Sequence, residues 1–158
     1  MATPLTIFER GVFDTFGSLT SVFGLPHVRS VIHVPEIAIF FENNSLGLAV
    51  KFEIGMTPWV EFAHILRDHG GRIVAKERCG LDFILAERSQ LEPRLSMPLE
   101  TVDDPRLIDI LEELARRVQQ YAPDVLRGDF AIFEVCRQRQ EEKLRRTEEE
   151  LYRSRTKD

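Results

Sequence analysis

Four histidines, two cysteines and a scatter of carboxylates are the side chains of this 158-residue sequence that could do chemistry. General acid/base work needs a titratable pair within hydrogen-bond reach of a substrate. Here folding would have to build it from His27, His33 or His64 together with Glu36, Glu42 or Glu61. His64 and His69 stand five apart, which on a helix sends the two rings in divergent directions, unlike the four-residue spacing of paired zinc ligands. The rings are therefore read as surface or partly buried histidines. Cys79 and Cys136 match no metal or redox spacing and are read as reduced, buried small hydrophobes. Cys79 lies in KERCGLD, where the neighbouring Arg78 is a cation able to activate a thiol; an idle thiol is the simpler reading. No GxSxG elbow and neither phosphate-cradling loop, GxGxxG or GxxxxGK, occurs. The acid pair Asp103-Asp104 is explained by the start of a helix. No catalytic, cofactor-binding or metal-ligating residue is assigned, and no cofactor is expected.

One tripeptide resembles a signal. Within VLRGDF, residues 125–130, the sequence RGD is similar to the adhesion motif read by integrins. Asp129 also stands directly before FAIFEVC, where its carboxylate would accept free first-turn amides and meet the positive end of a helix dipole. With Gly128 supplying the turn, the bend between helices is the favoured reading.

Bulk composition narrows the classes. At 43% apolar and 30% charged residues the chain is an ordinary globular sequence, long enough to bury roughly two thirds of its unfolded surface in one core. A net charge of −5 disfavours a nucleic-acid surface, which needs clustered cations. The first twenty residues lack the basic start and continuous apolar run of a secretory signal, and the longest strongly apolar run, Ile37 to Phe41, is too short to span a bilayer. The expectation is a cytoplasmic protein with no membrane or nucleic-acid partner.

These residues must be positioned by elements that the patterning predicts. Phe8, Val12, Phe16, Leu19 and Phe23 form a helical stripe, with a stop expected near Gly17. Arg29 to Val34 reads as a strand closed by Pro35. EIAIFFE and LGLAVKFEI read as an antiparallel hairpin turning at Asn43, Asn44 and Ser45, with Leu46, Leu48, Val50, Phe52 and Ile54 all on one buried face. Thr57-Pro58-Trp59 reads as a helix start, with Trp59, Phe62, Ala63 and Leu66 as its inward stripe and Gly70-Gly71 as its end. A strand at Arg72 to Ala75 and a helix or strand at Leu81 to Glu87 follow, and Asp104-Pro105 opens a helix running to Tyr121. The last helix is predicted to start near Asp129 and to run to about Arg153. Its acid-before-base pairs Glu141/Arg145, Glu142/Arg146 and Glu149/Arg153 support an exposed helix. Leu144 and Leu151 lie one heptad apart without the sustained seam of a coiled coil.

The predicted fold is α+β, a single domain over residues 1–158. An antiparallel sheet of three to five strands carries helices on its buried face, and residues 137–158 form an exposed helical extension. Through the strand pair and YAPDVLRGDFAIF, Tyr121 to Phe133, the sequence resembles small uncharacterised bacterial α+β proteins, some of them similar to immunity proteins of toxin systems. That resemblance implies a cytoplasmic, cofactor-free protein that binds another protein. The expected function is a non-catalytic protein-binding module of immunity or accessory type. The alternatives left open are a small enzyme with a histidine/carboxylate pocket and a structural protein that self-associates through the C-terminal helix.

Overall fold

A computed structural model describes residues 2–156 of the chain. The first helix, α1 (Pro4–Val22), opens on Thr3, whose hydroxyl accepts the Thr6 amide at 3.2 Å, and has a proline in its first turn. Its stripe buries Phe8, Val12 and Phe16 completely. The expected stop at Gly17 does not occur. A glycine in mid-helix costs about 1 kcal/mol, and here that is outweighed by Phe16 before it and by Leu19, Thr20 and Phe23, which pack on the core beyond it. The chain turns instead at Gly24, with φ +66°.

Five strands follow in spatial order identical to chain order, every neighbouring pair antiparallel: β1 (His27–His33), β2 (Glu36–Glu42), β3 (Leu46–Glu53), β4 (Trp59–Arg67) and β5 (Ile73–Gly80). The predicted hairpin is β2–β3, in which Ile37, Ile39 and Phe41 stand across from Phe52, Val50 and Leu48. Asn43 makes the turn, its Oδ1 accepting the amides of Ser45 at 3.0 Å and Leu46 at 2.8 Å. The alternation of Leu46, Leu48, Val50 and Phe52 is buried as expected, but Ile54 is not part of it. The strand ends at Glu53 and Ile54 is 61% exposed, because the chain reverses at Gly55, φ +85°.

The helix expected after Thr57-Pro58 is strand β4. Val60 and Phe62 point into the core while Glu61 and Ala63 point away, so the residues grouped as a helical stripe belong to both faces of a sheet. Thr57 caps no helix; its hydroxyl accepts the Met97 amide at 2.8 Å. Gly70-Gly71 forms the β4–β5 turn, with Gly71 at φ +80°. β5 begins at Ile73 and runs five residues beyond the predicted end at Ala75.

The second layer consists of α2 (Leu81–Arg88), α3 (Arg106–Tyr121), the single turn α4 (Pro123–Leu126) and α5 (Ala131–Arg155). Asp104 acts as expected at the head of α3, its Oδ1 accepting the Arg106 amide at 2.9 Å. Leu107, Leu111, Leu114 and Val118 of α3 join α1 and the inner face of the sheet in one core whose fully buried phenylalanines include Phe8, Phe16, Phe52, Phe62 and Phe133. Each such side chain contributes about 1.5–3 kcal/mol by leaving water. The architecture is therefore α+β, one domain, with five strands. The extension predicted over 137–158 is helical to Arg155; Lys157 and Asp158 lie outside the described residues.

Candidate functional site

The strand register decides which chemistry-bearing side chains meet. Because side chains alternate across a sheet, the row Arg29, Phe40, Ala49, Glu61 and the row Glu42, Gly47, Ala63, Arg78 stand on the face opposite the core. There each glutamate is held between two cations. Glu42 Oε1 lies 3.2 Å from both Arg29 and Lys76, and Glu61 Oε1 lies 3.6 Å from Lys51 and 3.8 Å from Arg78. Lys51 also reaches Glu36 at 3.5 Å. Under these long side chains Gly47, Ala49 and Ala63 floor a pit of about 80 Å³. The three acids considered for acid/base work thus share one surface, paired to cations.

Two of the candidate histidines, His27 and His64, lie on the other face. His27 sits opposite Phe41 on the helix-covered face, its ring edge-on to Phe13 and its Nε2 2.8 Å from the Ser30 hydroxyl. His64 also faces the helices: its ring stacks on Phe130 with centroids 3.8 Å apart, and its Nδ1 is 3.9 Å from Glu77. His33 stands across from Glu36 at the end of the β1–β2 pair, exposed. His69 lies in the β4–β5 turn, so the divergent helical geometry expected of His64 and His69 does not arise. Among the described residues no group of three or more His, Cys, Asp or Glu is arranged to hold a metal ion.

The RGD tripeptide is a bend. Gly128 has φ +92°, and Asp129 Oδ1 accepts the Ala131 amide at 3.0 Å, two residues on. The Arg127 guanidinium lies 5.9 Å from the Phe23 ring centre.

From that bend α5 leaves the body. Only Ile132, Phe133 and Cys136 are buried along its 25 residues, and from Arg137 to Arg155 every residue is exposed. That free length is about 28 Å of helix. Among the described residues its one ion pair to the body joins Arg139 to Glu87 at 3.5 Å, and it presents Leu144, Leu151 and Tyr152 at 61%, 54% and 71% exposure. Between Arg137 and Arg155 it carries seven basic and five acidic side chains, whereas residues 1–136 carry 13 basic and 20 acidic ones.

At the root of α5 the structure brings together two residues that spacing had kept apart. Cys136 Sγ lies 3.7 Å from the carbonyl oxygen of Arg78, the residue before Cys79 near the end of β5, and both thiols are buried. Strand alternation turns Arg78 to the opposite face, so the cation acting on Cys79 is Arg88 of α2, not its neighbour in sequence. Arg88 is itself held by a two-pronged pair to Asp124 at 2.6 and 2.7 Å. Burial and the adjoining Cys136 thiol nonetheless push the Cys79 thiol well above its ordinary value. No sequence motif marks this constellation; the alternation of β5 alone could have put Cys79 inside.

A groove of about 560 Å³ lies between the β3–β4 turn, the start of α2 and the segment at Arg94–Pro98, with Met56, Trp59 and Leu95 on its walls. Its charged groups, Asp82 and Arg94, pair with each other at 3.5 Å. No helix among the described residues is long and apolar enough to cross a membrane. No protein-family model, curated protein or solved structure matches this chain.

Proposed function

We propose that the chain is a non-catalytic protein-binding module, of immunity or accessory type, that docks on another protein through the free length of α5. The observation that carries this reading is that nineteen consecutive helical residues, Arg137 to Arg155, are all exposed, and the bonds that tie them to the body, Arg139 to Glu87 and Gln140 to the buried Cys136, lie in the first turn. A helix gains most of its stability in proteins by packing an apolar stripe. This one instead offers Leu144 and Leu151 two turns apart among interleaved charges, the spacing with which a helix anchors in the groove of a partner. The acidic body behind it favours a partner of basic overall charge, drawn in by long-range attraction. The enzyme alternative has less support, since His27 and His64 face the helical layer while Glu36, Glu42 and Glu61 face away from it and are paired to Lys and Arg, and His33, across from Glu36 on that outer face, stands exposed at the end of the β1–β2 pair.

The test is affinity capture from the native host with the full chain and with the double substitution Leu144→Glu/Leu151→Glu. Both leucines are exposed, so the melting temperature should be unchanged. One stoichiometric partner held by the wild type and lost by the variant is the expected result. Absence of any stoichiometric protein, or equal capture by the variant, overturns the reading. Light scattering on the same two proteins separates a foreign partner from a second copy of the chain.

A further inference from the structure

We propose that Cys79 and Cys136 form a redox dithiol that a peroxide oxidises to an intramolecular disulfide, pinning the root of α5 to the last strand. The inference is independent of what α5 binds. Three observations carry it. The two residues are 57 positions apart in sequence, yet Cys136 Sγ lies 3.7 Å from the carbonyl oxygen of Arg78, the residue before Cys79. Both are free and almost fully buried, at 1% and 2% exposure, so each sulfur has the other as its neighbouring thiol. And the barrier between Cys136 and solvent includes one exposed side chain: Gln140, one turn along α5, whose Nε2 lies 3.6 Å from Cys136 Sγ.

Access sets the order of events. Cys136 lies against the exposed Gln140 at the point where α5 parts from the body, whereas burial first, and the Cys136 thiol with it, raises the Cys79 thiol and disfavours its thiolate. The Cys136 sulfur therefore attacks one oxygen of hydrogen peroxide, the O–O bond breaks, and a water molecule leaves, with Cys136 as the sulfenic acid. The Cys79 sulfur then displaces the hydroxyl from Cys136. The proton of Cys79 goes to that hydroxyl, which departs as a second water. Two thiols and one peroxide give one disulfide and two waters; the two electrons lost by the sulfurs reduce the peroxide.

The experiment treats the native full chain with hydrogen peroxide, quenches, denatures, and alkylates with N-ethylmaleimide. The expected product is a monomer two hydrogens lighter with no adduct. Its tryptic digest contains Cys79–Arg88 joined to Gly128–Arg137, and dithiothreitol restores both thiols. Cys79→Ser should stop at the sulfenic acid, trapped on Cys136 by dimedone, and Cys136→Ser should leave Cys79 unmodified over the same interval. Gln140→Ala should raise the oxidation rate several-fold. The proposal is overturned if both thiols still take up the maleimide, if sulfinic acid accumulates without a cross-link, if the cross-link joins two chains, or if it forms only in urea. The wild-type mass measurement decides the matter by itself should a serine variant fail to fold.

Discussion

Arg117, 3% exposed on α3, donates from Nε to Glu113 Oε1 at 2.8 Å, one helical turn back along the same helix. Its remaining nitrogens reach off the helix, to the Pro93 carbonyl at 2.7 Å and to Glu92 at 3.3 Å. One buried cation thus ties the long connection between α2 and α3 to the core. Arg117→Met keeps the aliphatic packing and removes these bonds. Glu92 and Glu113 retain Arg116 and partial exposure, so the cost is set by lost charged hydrogen bonds, about 1.5–3 kcal/mol. Urea denaturation of the variant measures it, and a midpoint equal to wild type refutes the assignment.

Acid should weaken the same clamp in a defined window. The Arg116 guanidinium first, and Arg117 with it, hold the Glu113 carboxyl down from 4.5 to about 2. A carboxylate depressed in the folded state contributes stability above its unfolded value and loses it as pH falls through the folded one. The Glu113 contribution is therefore complete above the ordinary 4.5 and declines toward about 2. Glu113→Gln should show a flatter stability profile across that interval; parallel profiles for the two proteins would exclude Glu113 as the source.

Phe130, not Asp129, is the capping position of α5, so Asp129→Ala removes one exposed hydrogen bond to the Ala131 amide and should lower stability by about 0.5–1.5 kcal/mol. Gly128→Ala imposes a side chain on φ +92° and should cost upward of about 1 kcal/mol. Thermal melts check both. If neither shifts, the RGD segment is not the structural bend described here.

Phe62 and Ile54 test the strand boundaries. Phe62 is wholly buried and Ile54 is 61% exposed, so Phe62→Ala should cost about 3–5 kcal/mol and Ile54→Ala less than about 0.5 kcal/mol. Comparable losses at the two positions would contradict the register of β3 and β4.

Ending the chain after Gln140 keeps the contact to Cys136 and deletes only exposed helix. The stability of the body should then change by less than about 0.5 kcal/mol, with loss of helical circular dichroism and no change of oligomeric state by light scattering. A large drop in stability, or dissociation of an oligomer, would assign the deleted residues a structural role.

What the sequence revealed follows the number of buried faces per element. β3 was legible because its two faces differ: Leu48, Val50 and Phe52 on one, Gly47, Ala49 and Lys51 on the other. β4 was not, because Trp59, Ala63 and Ile65 put apolar atoms on its outer face as well, and the mixture of both faces fits a helical period as well as a strand's. Thr57-Pro58 strengthened the error, since a hydroxyl suited to capping serves equally well to accept an amide from a distant loop. The charged ladder of Glu42 and Glu61 and the Cys79–Cys136 pair depend on register and on helix return, which one-dimensional spacing does not encode. The exposed helical course of α5 was legible, with ends two residues earlier than the observed Ala131–Arg155. Among the described residues, however, the ion pair it closes along itself is Glu134–Arg137 and not Glu141/Arg145, Glu142/Arg146 or Glu149/Arg153, because exposed pairs of long side chains are held weakly.

The free length of α5 also works as a lever. A rod of about 28 Å hinged at Cys136 converts a tilt of about ten degrees into about 5 Å of travel at Arg155. Small repacking around Ile132 and Phe133 is therefore magnified where the chain is farthest from its fulcrum, and the reach of the tip is governed by a handful of side chains at the base.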